Sequence, residues 1–364
     1  MAVFEPYIPK ALTVGGAGRG EDVNINDIAR EAGVSIATVS RVLNKMPVRE
    51  ENRVKVEAAV RRMDFVPNYL ARGLMNKQSL AIGVLITSIS NGYYMEITDA
   101  IERRLRERGL MLFLCSTDGE VDQERRYLND LISRRVDGII VLDASDANYS
   151  SGLFRGVAKR VPLILVHSNP DILDVDSVVI DQRLGMLRVM EHLYGLGHRQ
   201  IAFIRGREGI PYDIKEEAWR GFLRERGVPT SAERLVVIEQ GNTSEAIGQA
   251  DEAMGAVLRP ASRPTAVFAC NDLMARGVVN AASRLGLRIP EELSVVGHDD
   301  TVLALSGRTQ LTSVDLKMKS LGGAAADLLF RAIDGGDPEP RRVFIVPELV
   351  VRESTGPAPG EAAL

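Results

Sequence analysis

The run from Asn24 to Asn44, NINDIAREAGVSIATVSRVLN, constrains this chain more than any other stretch. It writes two short amphipathic helices around a tight turn. Asn24 is placed to cap a helix over Ile25–Ala32, with Asp27 three residues on to return the bond and set a negative charge near the positive end of the helix dipole. Ile28 and Ala32 fall on one face, Ala29 is small enough to admit a second helix, and Gly33 supplies a left-handed residue at the helix end. Ser35 caps the next helix, about Ile36 to Leu43, whose Val39, Val42 and Leu43 make the buried stripe. Its remaining residues face outward or toward a partner. Such a pair is the pattern of a helix-turn-helix, with the N-terminal residues of the second helix reaching the major groove of DNA.

A third helical pattern, Glu50 to Arg62, carries Val54, Val56, Ala58, Ala59 and Val60, which can close a small core against the first two. Pro67 then separates it from a segment, Asn68 to Met75, too short to be stable as a helix alone. DNA or a second chain is needed to order it.

From Leu80 onward the pattern becomes α/β. Strand-like runs (81–86, 110–115, 138–142 and 163–166, then 201–204, 235–239, 266–269 and 294–296) alternate with helical ones (94–108, 123–134, 215–226, 244–258 and 273–285), which predicts parallel sheets in two doubly wound halves. A ligand cleft is expected at the carboxyl ends of their strands. At 364 residues the chain holds two or three domains, and no apolar run is long enough for a membrane span. The first twenty-two residues lack a signal-peptide pattern and read as a tail, so a cytoplasmic location is expected. Cys115 and Cys270 sit in apolar runs as reduced core residues.

The net charge of −4 argues against nucleic acid until its distribution is considered. Residues 23–79 carry ten Lys and Arg against six acids, so a balance of +4 sits on the helical segment and −8 on the rest. No phosphate loop, nucleophile elbow or zinc-protease motif is present. His192 and His198 are six apart and do not share a helical face, so no metal or cofactor is expected, and no enzyme.

The Asn24–Asn44 run, then Pro67-NYLARGLMNKQS-Ser79, then Ile82-GVLITSISNGYY-Tyr94, resembles the lactose-repressor (LacI/GalR) family of bacterial transcription regulators. The resemblance extends over about residues 23–354. It implies an all-α helix-turn-helix headpiece followed by a periplasmic-binding-protein-like α/β core of two doubly wound parallel-sheet subdomains. The limits expected are a tail at 1–22, the headpiece at 23–66 and a hinge helix at 67–79. The core follows at 80–354, with one subdomain at about 80–180 and 315–340 and the other at about 181–314 and 341–354, and a flexible tail at 355–364.

On the DNA side the resemblance implies that Ser35, Ile36, Ala37, Thr38, Ser40, Arg41 and Asn44 meet phosphates or base edges, Arg41 being the candidate for a guanine. Leu74 matches the leucine that the family's hinge helices wedge into a minor-groove step, with Ala71 and Arg72 beside it. In the core it implies effector contacts from Tyr93 and Tyr94 by stacking, from Asp118 to a hydroxyl, from Arg220 as a bidentate donor, and from Asn271 and Asp299 at two strand ends. The partners implied are pseudo-palindromic operator DNA, a second copy of the chain as a dimer, and a small effector, a sugar or sugar derivative. Gly92, His298 and the His167–Asn169 stretch depart from the family pattern near the cleft and bear on effector identity. Two rival readings share such a core: a plain sugar-binding protein, which needs no headpiece, and an enzyme acting in the cleft, which needs a catalytic pair.

Overall fold

The computed structural model describes residues 23–43, 46–65, 79–169, 172–229, 234–259, 263–336 and 339–360. It divides into two units, Met1–Lys77 and Gln78–Leu364, each treated separately below.

The first unit is a three-helix headpiece: α1 (Ile25–Ala32), α2 (Ile36–Leu43) and α3 (Glu50–Arg62). The cap of α1 is reciprocal. The Asn24 side chain accepts from Asn26 N–H at 2.8 Å, and Asn24 N–H donates to Asp27 at 3.0 Å. Gly33 closes the helix at φ 65°, where a side chain is strained. Ile28, Ala29, Ala32, Val39, Val56 and Ala59 make the core, with Val42, Leu43, Val60 and Phe65 packed at its edge. Val54, expected on the core face of α3, is 55% exposed instead. It stands two residues before Val56, about 200° round the helix.

The second unit contains two six-stranded sheets. In chain order its elements begin β1 (Ala81–Ile86), α4 (Gly92–Glu107), β2 (Met111–Ser116), α5 (Val121–Ser133), β3 (Gly138–Leu142), α6 (Asp146–Ser150), α7 (Leu153–Ala158), β4 (Leu163–His167) and β5 (Ser177–Ile180). There follow α8 (Gln182–Gly195), β6 (Ile201–Gly206), α9 (Ile210–Glu225), β7 (Leu235–Ile238), α10 (Glu245–Val257), β8 (Ala266–Ala269), α11 (Asp272–Arg284) and β9 (Ser294–Asp299). The unit ends with α12 (Val302–Leu305), β10 (Thr312–Asp315), α13 (Met318–Ile333), β11 (Arg342–Ile345) and β12 (Glu348–Val350).

The first sheet has the order β11-β5-β4-β3-β1-β2 and is parallel throughout; the second runs β12-β10-β9-β8-β6-β7 with only β12 antiparallel. Strands such as β1, β3, β4 and β8 are buried at every residue, as a parallel sheet covered by helices on both faces requires. The chain passes between the sheets at Asp181, at Leu316–Lys317 and at Val346–Pro347. The expectation that everything after 341 belongs to the second half is corrected here: Arg342–Ile345 pairs with Ser177–Ile180 in the first sheet. The residues from 355 are also not a free tail as far as they are described. Thr355 meets His192 at 3.0 Å, Gly356 O lies 3.0 Å from His198 Nε2, and Ala358 N–H donates to Leu196 O at 2.8 Å. These bonds give both histidines a structural employment.

The helices α4 and α13 approach closely because Gly322 has no side chain. A Cβ there would stand 2.5 Å from Ile97 O and 2.7 Å from Ala100 Cβ, whereas one on the neighbouring Gly323 meets nothing within 4 Å. Gly322→Ala is therefore expected to destabilise the core by about 1–3 kcal/mol through forced separation of the helices. Gly323→Ala is expected to stabilise it by up to about 1 kcal/mol through lower unfolded-state entropy. Urea denaturation of the pair checks this, since equal effects would mean that close approach is not what Gly322 provides.

Candidate effector cleft and nucleic-acid interface

In the headpiece, Ser35 Oγ accepts from Thr38 N–H at 3.2 Å and lies 2.9 Å from Thr38 Oγ1, so Ser35 is first of all the cap of α2. With Val39 buried below, the helix leaves Ile36, Ala37 and Arg41 exposed and Thr38 and Ser40 half-buried. Ile36 is 48% exposed, an apolar side chain outside the buried cluster of its own unit. Of the other expected DNA contacts, Asn44, Ala71, Arg72 and Leu74 lie outside the described residues.

In the core a cavity of about 420 Å³ lies where the carboxyl ends of both sheets converge. Thr87, Thr117 and Asp143 follow β1, β2 and β3, and His167 ends β4. From the other sheet come Asn271, just after β8, and Asp299, the last residue of β9, while Tyr212 and Lys215 enter from the first turns of α9. Winding places the strand ends together, so residues far apart in sequence share one wall.

Tyr93 and Tyr94 are both buried in this wall with their rings edge to face, 5.0 Å between centroids. Tyr94 donates its hydroxyl to Asp143 Oδ2 at 3.0 Å. Burial, then the charge of Asp143, keeps both phenols protonated. Asp143 and Asp299 hold left-handed backbone at φ 54° and 99°. Asp tolerates that region better than most residues, although 99° is strained, and such strain concentrates at binding sites. Burial pushes the Asp143 carboxyl up to about 6 and raises Asp299 well above the ordinary range, the nearby Asp272 adding to the second effect. Lys215 is the one lysine or arginine among the lining residues. It is 3% exposed, and its ammonium donates to Cys270 O at 3.1 Å. Its charge acts on both carboxylates and its ammonium has donors to spare, so a hydroxyl entering between them can accept from Lys215 and donate to Asp143 or Asp299.

Tyr93, Tyr94, Asn271 and Asp299 thus line one cavity, and two expected contacts do not. Arg220 follows Lys215 by five residues, which carries it about 140° round α9 from the face that meets the cavity. It pairs instead with Glu216 at 2.8 Å and stands 5.3 Å from the Trp219 ring. Asp118 is exposed in a left-handed turn at φ 53° and accepts from Ser116 Oγ at 3.0 Å, while its neighbours Thr117 and Gly119 reach the cavity. Asn271 caps α11 by accepting from Met274 N–H at 2.9 Å and donates to Gly241 O at 2.7 Å, which limits what it can offer a ligand. Asp272 and Asp300 are supports: Asp272 accepts from Thr301 at 2.7 and 2.9 Å and from Ser313 at 2.7 Å, and Asp300 pairs with Arg352 at 2.6 Å.

Asp143, Lys215 and Tyr212 were not singled out from the sequence. The signal for Asp143 was available, since it directly follows the apolar run 138–142. Lys215 gave none, because a lysine in the first turns of an amphipathic helix reads as a surface charge.

Asp143→Asn removes a carboxylate that is held in the wrong charge state while leaving an oxygen for Tyr94. The folded-state value of about 6 lies above the ordinary 3.8, so the ionised group destabilises the fold above pH 6 and that cost disappears as pH falls toward 4. The variant is expected to be more stable than the parent by about 1–2 kcal/mol at pH 7.5, after discounting for solvent in the cavity, and nearly equal to it at pH 4.5. Denaturant midpoints at the two pH values measure this, and a gain independent of pH contradicts the assignment.

Known proteins are similar to this chain over both the headpiece and the core. Residues 24–68 match the model for bacterial regulatory proteins of the lacI family, and residues 190–355 match a periplasmic binding protein-like domain. The chain is 34% identical over 337 residues to the HTH-type transcriptional regulator DegA of Bacillus subtilis (strain 168), covering 92% of this chain and 98% of that one. Among solved structures, the lac repressor dimer bound to operator and the anti-inducer ONPF superposes with a TM-score of 0.80 at 27% identity, over 92% of this chain and 100% of that one. A complex of the transcriptional regulator CelR with cellobiose does so with a TM-score of 0.67 at 25% identity, over 91% and 99%. With a headpiece and a core both matched, and a relative this similar over nearly its whole length, the chain belongs to the LacI family of bacterial transcriptional regulators.

Proposed function

We propose that this regulator binds a pseudo-palindromic operator as a homodimer, and that a sugar or sugar derivative held in the cleft changes its operator affinity. The observation that carries the reading is the cleft itself: Asp143, Asp299 and Lys215 converge beside buried tyrosine rings, a combination suited to adjacent hydroxyls on an apolar ring. The lac repressor dimer is known bound to operator and the anti-inducer ONPF, and CelR in complex with cellobiose. The relatives carry regulator names, in keeping with a cleft that binds without turnover.

On the DNA side, Arg41 reads a guanine, and the exposed Ile36 and Ala37 meet thymine methyl groups. Leu74, with Ala71 and Arg72, wedges the central step of the operator. The switch works by population: an effector that binds one arrangement of the two subdomains better than the other shifts the balance between them. Ser244 N–H, which donates to Ser90 Oγ at 3.3 Å from one subdomain to the other, is a bond that such a rearrangement alters. Among the described residues no helix is long and apolar enough to cross a membrane. The place of action proposed is the cytoplasm, on the nucleoid, where operator DNA is found.

Binding is tested by fluorescence polarisation on an operator enriched from a random DNA pool. Affinity is expected to fall by roughly a hundredfold or more between about 50 and 200 mM salt, because phosphate neutralisation releases counterions. Arg41→Ala is expected to cost about 1–3 kcal/mol and to relax the preference at one base. A salt-independent affinity, or no enrichment of any sequence, overturns the DNA reading. A thermal-shift screen of neutral sugars, sugar acids and sugar phosphates tests the effector, with stabilisation of about 2.7 kcal/mol expected at a hundred times the Kd.

A further inference from the structure

The end of the cleft beside β4 and β5 holds two buried polar atoms without a hydrogen-bond partner among the described residues: His167 Nε2 and Gln182 Oε1. Both side chains line the cavity, and they are only 4% and 5% exposed. Their chemical sense is fixed by what their other atoms do. His167 Nδ1 accepts from the backbone N–H of Asn169 at 3.1 Å, and a backbone N–H can only donate. The neutral ring therefore carries its proton on Nε2, which becomes the donor. The Gln182 amide donates through Nε2 to Ser168 Oγ at 3.1 Å, leaving its carbonyl oxygen as the acceptor. Ser168, next to His167 in the chain, thus holds Gln182 at the same end of the cleft, and the wall there offers one donor and one acceptor.

We propose, resting on the effector reading above, that His167 and Gln182 form an uncharged subsite that binds a hydroxyl or amide group of the effector and rejects a carboxylate or phosphate there. A hydroxyl accepts from His167 Nε2–H and gives its own proton to Gln182 Oε1; a secondary amide does the same with its carbonyl and N–H. A buried donor and acceptor left unmatched are costly, so a ligand lacking either function binds less well. An anion supplies only acceptors and leaves Gln182 Oε1 unpaired. It also meets a cavity lined by Glu120, Glu124, Asp143, Asp146, Glu208 and Asp299, against Lys215 as the single lining cation and Arg342 near His167 outside the lining. The imidazole does not compensate by charging: burial, with the Arg342 charge beside it, holds its pKa down at about 4, so the ring is neutral near pH 7.

Two measurements on the full chain test the subsite. The first needs no ligand. With ¹⁵N-labelled histidine there are four imidazoles to resolve, and His167→Ala assigns the one in question. A neutral ring protonated at Nε2 at pH 7 is expected; protonation at Nδ1, or a charged ring, overturns the proposal.

The second is calorimetric titration with a panel of hexoses and N-acetylhexosamines and their uronate and 6-phosphate counterparts. A neutral member is expected to bind, with Kd raised about tenfold or more by His167→Ala and by Gln182→Leu, the loss appropriate to one buried hydrogen bond. An anionic member binding more tightly than its neutral parent overturns the proposal. A neutral probe that is lost in Lys215→Met but bound normally by both subsite variants overturns it too, while leaving the cleft as the effector site. A panel with no binder overturns the sugar reading and this subsite together.

Discussion

Ile28→Ala is expected to abolish operator binding while leaving the effector core unchanged. Ile28 is fully buried and belongs to a headpiece core of six buried side chains, three of which are alanines. Truncating a buried isoleucine costs about 2–5 kcal/mol through lost transfer energy and the cavity left behind. A domain of some forty residues has a margin of only about 3–5 kcal/mol, so the three helices unfold rather than adjust. Operator affinity is expected to drop at least about a hundredfold, since a recognition helix of eight residues is not stable once its packing is gone. The melting transition of residues 79–360 is expected to stay where it was. Val54→Ala in α3 is the control, because Val54 is 55% exposed and its loss should lie within about 0.5 kcal/mol. A variant Ile28→Ala that keeps its operator affinity would mean that something other than this core holds the recognition helix.

Lys215→Met has the second large effect, and its signature is in pH. Lys215 is the one lysine or arginine lining the cavity, and its charge opposes the upward push on Asp143 and Asp299. Removing it leaves the buried Asp299 and the half-buried Asp143 without that counter-charge, which is expected to destabilise the core by about 2–4 kcal/mol at pH 7.5. Both groups titrate above the ordinary carboxyl range and titrate higher still without Lys215. As the pH falls from 7.5 to 5 they take up protons that the unfolded chain takes up only near pH 4, so the variant recovers stability over that interval. The gap from the parent is expected to shrink to half or less at pH 5. Equal gaps at both pH values would show that Lys215 matters through its packed stem alone. Effector response is expected to be lost at neutral pH in either case, because a ligand hydroxyl loses its charged donor.

How far the sequence disclosed all this depended on whether a signal was local. The headpiece helices were legible: caps, a left-handed glycine and helical periodicity act within a few residues, and the three helices run over the spans they predict, with only Val54 on the wrong face. Long apolar strands such as β1 and β3 were equally plain. Short strands near the edges were not, because Thr312–Asp315 is mostly polar and Arg342–Ile345 is a four-residue run with no residue fully buried. Their place depends on partners elsewhere in the chain, which for Arg342–Ile345 lie more than a hundred residues away. The cleft divided in the same manner. Asp299 ends β9 and Tyr94 stands in the first turn of the helix after β1, and the family motifs that placed them there agree with a ligand site at the strand ends. Arg220 was placed by motif, and the helical phase of α9 gives its position to Lys215 instead.

The three passages of the chain between the sheets also have a consequence in time. The first sheet is started by residues 81–180 but completed only by β11, about 160 residues later, with α13 packed on its strands just before. At ordinary translation rates of about 5–20 residues per second, a growing chain carries that sheet with an open edge for roughly 10–30 s. The headpiece is contiguous and emerges first, so a recognition helix is folded on the ribosome well before the part of the molecule that can restrain it.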